Sequence, residues 1–478
     1  MPAEVFVPDL IKKNACEIAG HLKSGELSPL DCLDALEKRI AAVNAKVNAL
    51  PTLCFERARD HARALMKQSI EKRGPLAGLP IVIKDLVDVA GVRSTQGSLI
   101  YKDRIAEKSD ILVKHLETHG GIVYAMSNTP EFGAGANTFN EVFGRTLNPW
   151  NTSRSAAGSS GGSAVALATG MAWVAHGNDL GGSLRNPASF CSIVGLRPSP
   201  GRVAATPGTR IDGTMGAEGP MARNVEDAAL LLDAMAGEEP GDPTSLPSDG
   251  ASFLAAARSG WKPKRVAMSR DLGITPVDPE VAEIVVKAAR RFEDAGVIIE
   301  EAHPDFSEIH ECFGAFRALS YATSFLELLK THRDQLKPEV IWNIEKGLAL
   351  TGADIAKAEA QRAAMFARTQ KFFETYDLLL TPATIVAPYP VEQRYVAEVN
   401  GHKFSNYYEW LAIAYAFTTV CCPAISIPAG FTRERLPVGI QIAAAPRGEA
   451  RLLAGAKLLE DILGLKGLTP IDPAIAKT

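Results

Sequence analysis

The chain has 478 residues, 46% of them hydrophobic and 22% charged, and a formal net charge of −4. That length exceeds what a single core usually fills, so a large α/β domain or two to three smaller units is expected and a disordered chain is excluded. The mild negative charge, with no long Lys/Arg cluster, argues against a nucleic-acid partner, and no run of about 18 apolar residues argues against a membrane span.

From the N-terminus, MPAEVFVPDLIKKNACEIAG lacks the apolar region of a leader, so a cytoplasmic location is expected. SPLDCLDALEKRIAAVNAKV opens with Ser28 as N-cap and Pro29 at the first helical position, and its apolar residues recur at intervals of three and four, which predicts a helix. The apolar run from Leu79 to Ile83 predicts a buried strand ending at Lys84. A helix over 110–118, a stop at Gly120 and Gly121, and a strand over 122–126 follow. An Ala-rich helix over about 160–172 comes next, then the short apolar run WVAHGND and a helix from Asn224 to Gly237. Residues 238–250 are acidic and rich in Pro and Gly, as a linker would be. A strand over 264–269 and a helix over 279–295 resume the alternation, and 305–374 reads as mostly helical. Strand-like runs return in YDLLLTPA, PAISIPAG and LPVGIQIAAA, before a helix over 447–461. Strand material on both sides of the helical stretch predicts one discontinuous core, an α/β domain over 1–478 carrying a helical insertion at about 305–374.

Seven cysteines (16, 32, 54, 191, 312, 421 and 422) without C-x-x-C spacing argue against a disulfide framework and a zinc site. The adjacent Cys421 and Cys422 are read as strand residues that face opposite sides and pack into the core.

Two turns bearing serines are candidates for chemistry. In RSAAGSSGGSAVALATG, GSSGG fits the nucleophile-elbow pattern around Ser160, but the preceding TLNPWNTSRSAA is unlike a buried strand and no histidine sits in a partner motif. In NDLGGSLR, Gly181 and Gly182 precede Ser183, and such a turn can aim backbone N–H groups at a developing oxyanion. Lys84, at the end of IVIKD, reads without further context as an ammonium paired with Asp85 or Asp88.

Taken together, IVIKD (81–85), AGSSGGSA (157–164) and NDLGGSLRNPASFCSIVGLRPS (178–199) resemble the amidase signature family of serine hydrolases, and the flanks GPMARNVEDAALLLDAMAG, PAISIPAG, LPVGIQI and GEARLLAGAKLLE agree in order. The resemblance implies a mixed β-sheet core with helices on both sides, its signature core at about 75–237. It also implies a Ser-Ser-Lys triad: Ser183 as nucleophile, Ser159 in a cis peptide as the bridging serine, and Lys84 as the base. Leu180, Gly181, Gly182 and Ser183 would form the oxyanion hole, Gly133 would line the acyl pocket, and Asp179 and Arg185 would brace the turn. Ser160 and Ser163 would be left to bond backbone. Lys84 must then be neutral, which burial beside Ile81 and Ile83 would favour, with Asp85 facing elsewhere.

The implied reaction is hydrolysis of a small-molecule carboxylic amide through an acyl-enzyme on Ser183, with no metal and no cofactor. Esters and carbamates share the tetrahedral step, and an ammonia-supplying amidotransferase subunit could use the same triad. A non-catalytic binding protein is disfavoured because all three positions are filled. The aromatic segments 313–325 and 404–417 fit either helix packing or an aryl or anilide pocket. A homo-oligomer is left open.

Overall fold

A computed structural model describes residues 7–207, 213–248 and 250–476. Part of the leader reading (residues 1–6) and Asp249 of the 238–250 segment lie outside the described residues.

Eleven strands form one sheet: β1 (Thr52–Leu53), β2 (Pro80–Lys84), β3 (Ile122–Ser127), β4 (Val174–Asp179), β5 (Val194–Arg197), β6 (Ala217–Ala222), β7 (Arg265–Met268), β8 (Ile298–Glu301), β9 (Leu378–Pro382), β10 (Ala424–Phe431) and β11 (Pro437–Ala443). Their order is β1-β3-β2-β4-β6-β5-β10-β11-β9-β7-β8. The sheet is mixed. β3, β2 and β4 run parallel, as do β9, β7 and β8, while the pairings from β4 through β6, β5, β10 and β11 to β9 are antiparallel. Helices cover both faces, so β2 and β3 are buried along their whole length and read as continuous apolar runs.

The helix predicted after Ser28 spans Pro29–Val47, closed at its N-terminus by a reciprocal bond pair between Ser28 and Asp31. The Ala-rich helix is shorter than its composition suggests, Gly161–Ala168, because a left-handed Gly170 turns the chain into β4. Its glycines are there for contact: a Cβ on Gly162 would stand 2.4 Å from the backbone nitrogen of Asn128. Between β8 and β9 run three helices, Ile309–His332, Pro338–Leu348 and Gly352–Phe373. The first and third cover a second apolar cluster that includes Phe313, Tyr415 and Phe417, apart from the main core, and the second packs with Phe132 and Tyr321 in a third, smaller one.

One strand assignment is corrected. Cys421 and Cys422 lie in the turn between the helix Ala412–Thr419 and β10, where Cys421 adopts a left-handed φ of 57°. Cys422 is buried, and Cys421 is half-buried against Arg362, whose guanidinium lies 3.3 Å from its sulfur.

Candidate active site

The parallel strands β2 and β4 end side by side, and their carboxyl ends open into a cleft of about 230 Å³. β2 delivers Lys84, and β4 delivers Asn178, Asp179 and then the Gly181-Gly182-Ser183 turn. Ser159 and Ser183 both line the cleft, as do Gly133, Leu180 and Gly181.

Lys84 is fully buried. Its Nζ lies 2.6 Å from Ser159 Oγ, 2.6 Å from Asn178 Oδ1 and 3.0 Å from Ser160 Oγ. Neither neighbouring aspartate pairs with it. Asp85 accepts from Thr95 N at 2.9 Å and Thr95 Oγ1 at 2.5 Å, and Asp88 is held by Arg104. Burial lowers the Lys84 pKa to about 7, against the opposing pull of Glu218 and Asp179. The reading of this lysine as an ammonium paired with Asp85 or Asp88 is therefore set aside, and burial favours its neutral amine. Burial also pushes Asp85 up to about 6, despite its bonds from Thr95.

The Gly158–Ser159 peptide is cis. No strand enters Ser160, which caps the helix Gly161–Ala168, so the elbow geometry is absent. Ser160 is closer to the chemistry than a turn residue would be. Besides its contact with Lys84, its Oγ donates to Asn178 O at 3.3 Å and its N–H to Ser183 O at 3.2 Å. Ser163 bonds backbone as expected, its Oγ donating to His176 O at 2.8 Å.

Beneath the glycine turn, the buried carboxylate of Asp179 accepts from Gly182 N (2.9 Å) and Leu184 N (3.1 Å), and from Arg185 Nη2 (2.8 Å) and Nε (3.0 Å). Burial works against its ionisation, but Arg185 and Arg197 hold it well below the usual carboxylate range. Gly182 needs its positive φ of 105° and its missing Cβ, which would otherwise meet Ala414 Cβ at 2.7 Å. Because the Gly182 N–H points inward to Asp179, it is not a free oxyanion donor. Among the described residues the N–H groups of Leu180, Gly181 and Ser183 have no hydrogen-bond partner. No hydrogen bond joins Ser159 to Ser183 in this arrangement.

Sequence reasoning missed two side chains here. The Lys84 N–H donates to His176 Nδ1 at 3.3 Å, so the ring carries its proton on Nε2, which donates to Glu218 Oε2 at 2.6 Å. Asn178 binds Lys84 directly. Residues 176 and 178 share a strand face by the two-residue period, and that alternation was the available signal. Among the described residues no group of three or more His, Cys, Asp or Glu could hold a metal ion, and no helix is long and apolar enough to cross a membrane.

The family model for amidases matches residues 31–453. The chain belongs to the amidase family. It is an amide hydrolase. The chain is 35% identical to an acylamidase of Rhodococcus erythropolis over 97% of its own length and 98% of the relative's. It is 32% identical to a glutamyl-tRNA(Gln) amidotransferase subunit of Moorella thermoacetica over 95% and 97% of the two chains. The crystal structure of a bacterial aryl acylamidase of the amidase signature family superposes with a TM-score of 0.88 at 26% identity, covering 96% of this chain and 99% of that one.

Proposed function

We propose that this amidase cleaves small carboxylic amides, anilides among them, through an acyl-enzyme on Ser183. The observation that carries the reading is a buried lysine, lowered to about 7, with Nζ 2.6 Å from Ser159 Oγ in the cleft that also exposes Ser183. A neutral amine has two protons and one lone pair. Asn178 Oδ1 can only accept, and Ser160 Oγ gives its own proton toward Asn178 O, so both take protons from Nζ. The lone pair then faces Ser159, whose proton moves to Lys84 as Ser159 takes that of Ser183.

Ser183 Oγ attacks the carbonyl, and the oxyanion meets the N–H groups of Leu180, Gly181 and Ser183. Asp179 acts through Gly182, Leu184 and Arg185, holding the turn without touching substrate. Return of the proton from Lys84 through Ser159 to the leaving nitrogen expels the amine, and water then releases the acid. Gly133 leaves space beside Ser159: a Cβ there would stand 3.5 Å from Ser159 Oγ.

A fluorophosphonate tests the assignment, because its phosphoryl oxygen takes the place of the oxyanion. The adduct is expected on Ser183, and an adduct on Ser160 overturns the triad. The amidotransferase relatives favour a second reading, in which ammonia passes to a partner protein. Turnover of simple amides by the isolated chain decides for the free hydrolase.

A further inference from the structure

One wall of the cleft carries a charge that the hydrolytic steps do not use. Arg317, on the helix Ile309–His332, lines the cleft while only 6% exposed. Its guanidinium lies among three phenol rings, 4.9 Å from the centroid of Tyr321, 5.5 Å from Tyr407 and 5.4 Å from Tyr408. Its Nη2 donates to Tyr407 Oη at 2.6 Å and, weakly, to Tyr321 Oη at 3.4 Å. Among the described residues Nε is buried without a partner, Nη1 makes no hydrogen bond, and no carboxylate forms an ion pair with the group.

Arginine cannot shed its charge, and a buried cation without a counter-anion is costly. Arg185 shows how this fold settles the matter elsewhere. Fully buried, it divides its donors among the Asp179 carboxylate, Gln441 Oε1, Thr418 Oγ1 and Ala414 O. Around Arg317 the phenols are fixed by other bonds: Tyr321 Oη donates to Phe132 O at 3.2 Å, and Asn343 Nδ2 donates to Tyr407 Oη at 2.5 Å. Among the described residues, the two acids that line the cleft are committed too, Glu218 to His176 and Asp179 to Arg185. The cleft therefore presents, among the described residues, a fixed, positively charged guanidinium with Nη1 unbonded and no anion paired to it.

We infer that Arg317 receives a carboxylate of the substrate, so that the preferred amides of this enzyme are anionic. The inference rests on the amide hydrolysis proposed above and narrows its substrate class. Tyr321, Tyr407 and Tyr408 hold the guanidinium in place by cation–π contact and the phenols take Nη2, which leaves Nη1 as the donor for a charge-assisted hydrogen bond to a carboxylate.

Two pairs of amides test this on the wild-type protein. In the acyl arm, the mono-para-nitroanilide of glutaric acid is compared with the para-nitroanilide of pentanoic acid. In the amine arm, N-butyryl-para-aminobenzoate is compared with butyranilide. A charge-assisted pair in a desolvated cleft is expected to raise kcat/KM for the carboxylate by about tenfold or more in one arm, which also tells on which side of the scissile bond Arg317 lies. In Arg317→Met that ratio should fall to one or below, and Arg317→Lys should retain part of it. A merely structural arginine would depress both members of a pair and leave their ratio alone. Wild-type ratios at or below one in both arms, or a ratio that survives Arg317→Met, overturn the inference, and the wild-type arms need no folded variant. Turnover of the neutral amides without preference removes only the carboxylate. No turnover of any of the four, with no fluorophosphonate adduct on Ser183, removes the hydrolytic reading with it.

Discussion

The floor and the wall of the cleft are built differently. The floor is backbone-dominated: two adjacent strand ends, a helix cap and a glycine turn bring Lys84, Ser159 and Ser183 together within short motifs. The wall consists of side chains from distant segments, with Arg317, Tyr321 and Phe325 on one helix and Tyr407, Tyr408 and Leu411 about 90 residues later. Chemistry that depends on backbone geometry allows few residue types at each place, whereas recognition tolerates many. Damage to the floor should therefore abolish the reaction, and damage to the wall should redirect it.

The largest effects belong to the floor. Ser183→Ala and Lys84→Met should each cost about 10³-fold or more in kcat/KM, and the Ser159/Ser183 double alanine variant should be no worse than Ser183→Ala, since members of one proton path fail together. Steady-state rates on a para-nitroanilide check this, and additive losses would sink the coupled triad. Below that stands Asp179→Asn. It leaves Arg185 and Arg197 buried without their carboxylate, and a loss of about 3–5 kcal/mol of stability is expected by urea titration. Unchanged stability would mean that the two arginines find other partners.

Smaller effects mark the border between the regions. Ser160→Ala removes one acceptor for the Lys84 amine and should reduce kcat about two- to tenfold, in keeping with a single hydrogen bond. A loss as large as that of Ser159→Ala would make Ser160 a second proton carrier. On the wall, Phe325→Ala opens the face where its ring stands 4.5 Å from Phe132, and it should change KM and the order of substrates more than kcat. An equal fall in kcat for every amide would show that the wall also shapes the transition state.

The same division governs what could be read from the sequence. The strand ending at Lys84, the glycine turn before Ser183 and the Ser28 cap were legible because periodicity and capping act over a few neighbouring residues. Burial as the cause of the low lysine pKa could be argued from Ile81 and Ile83 alone. The committed N–H of Gly182 could not, since it depends on where Asp179 points once Arg185 holds it. Cys421 and Cys422 misled because an apolar pair before PAISIPAG looks like the start of the strand, while the chain still has to turn out of the helix Ala412–Thr419. Of the two aromatic segments, Phe313 and Tyr415 pack as core, stacked at 4.0 Å, and Tyr321, Tyr407 and Tyr408 face the cleft. Helical period says that both sets are inward, but not which inward side is empty.

The smallest expected effect is also the finest probe of the floor. If Lys84 is the base as proposed, kcat/KM should rise with pH through its pKa of about 7 and level off above it, because on that reading only the neutral amine accepts the proton from Ser159. Glu218 opposes this neutrality: its carboxylate stabilises the ammonium and raises the lysine pKa, while it accepts the Nε2 proton of His176 on the far side of the ring. Glu218→Gln keeps an oxygen for that proton and removes the charge. The ammonium is then less favoured, the Lys84 pKa falls, and the acid limb of the profile moves to lower pH, so the variant keeps more of its plateau rate below pH 7 than the wild type does. A limb displaced to higher pH would contradict the sign of this coupling. A lower plateau with an unmoved limb would instead assign Glu218 to contact with the substrate, on the wall side of the boundary.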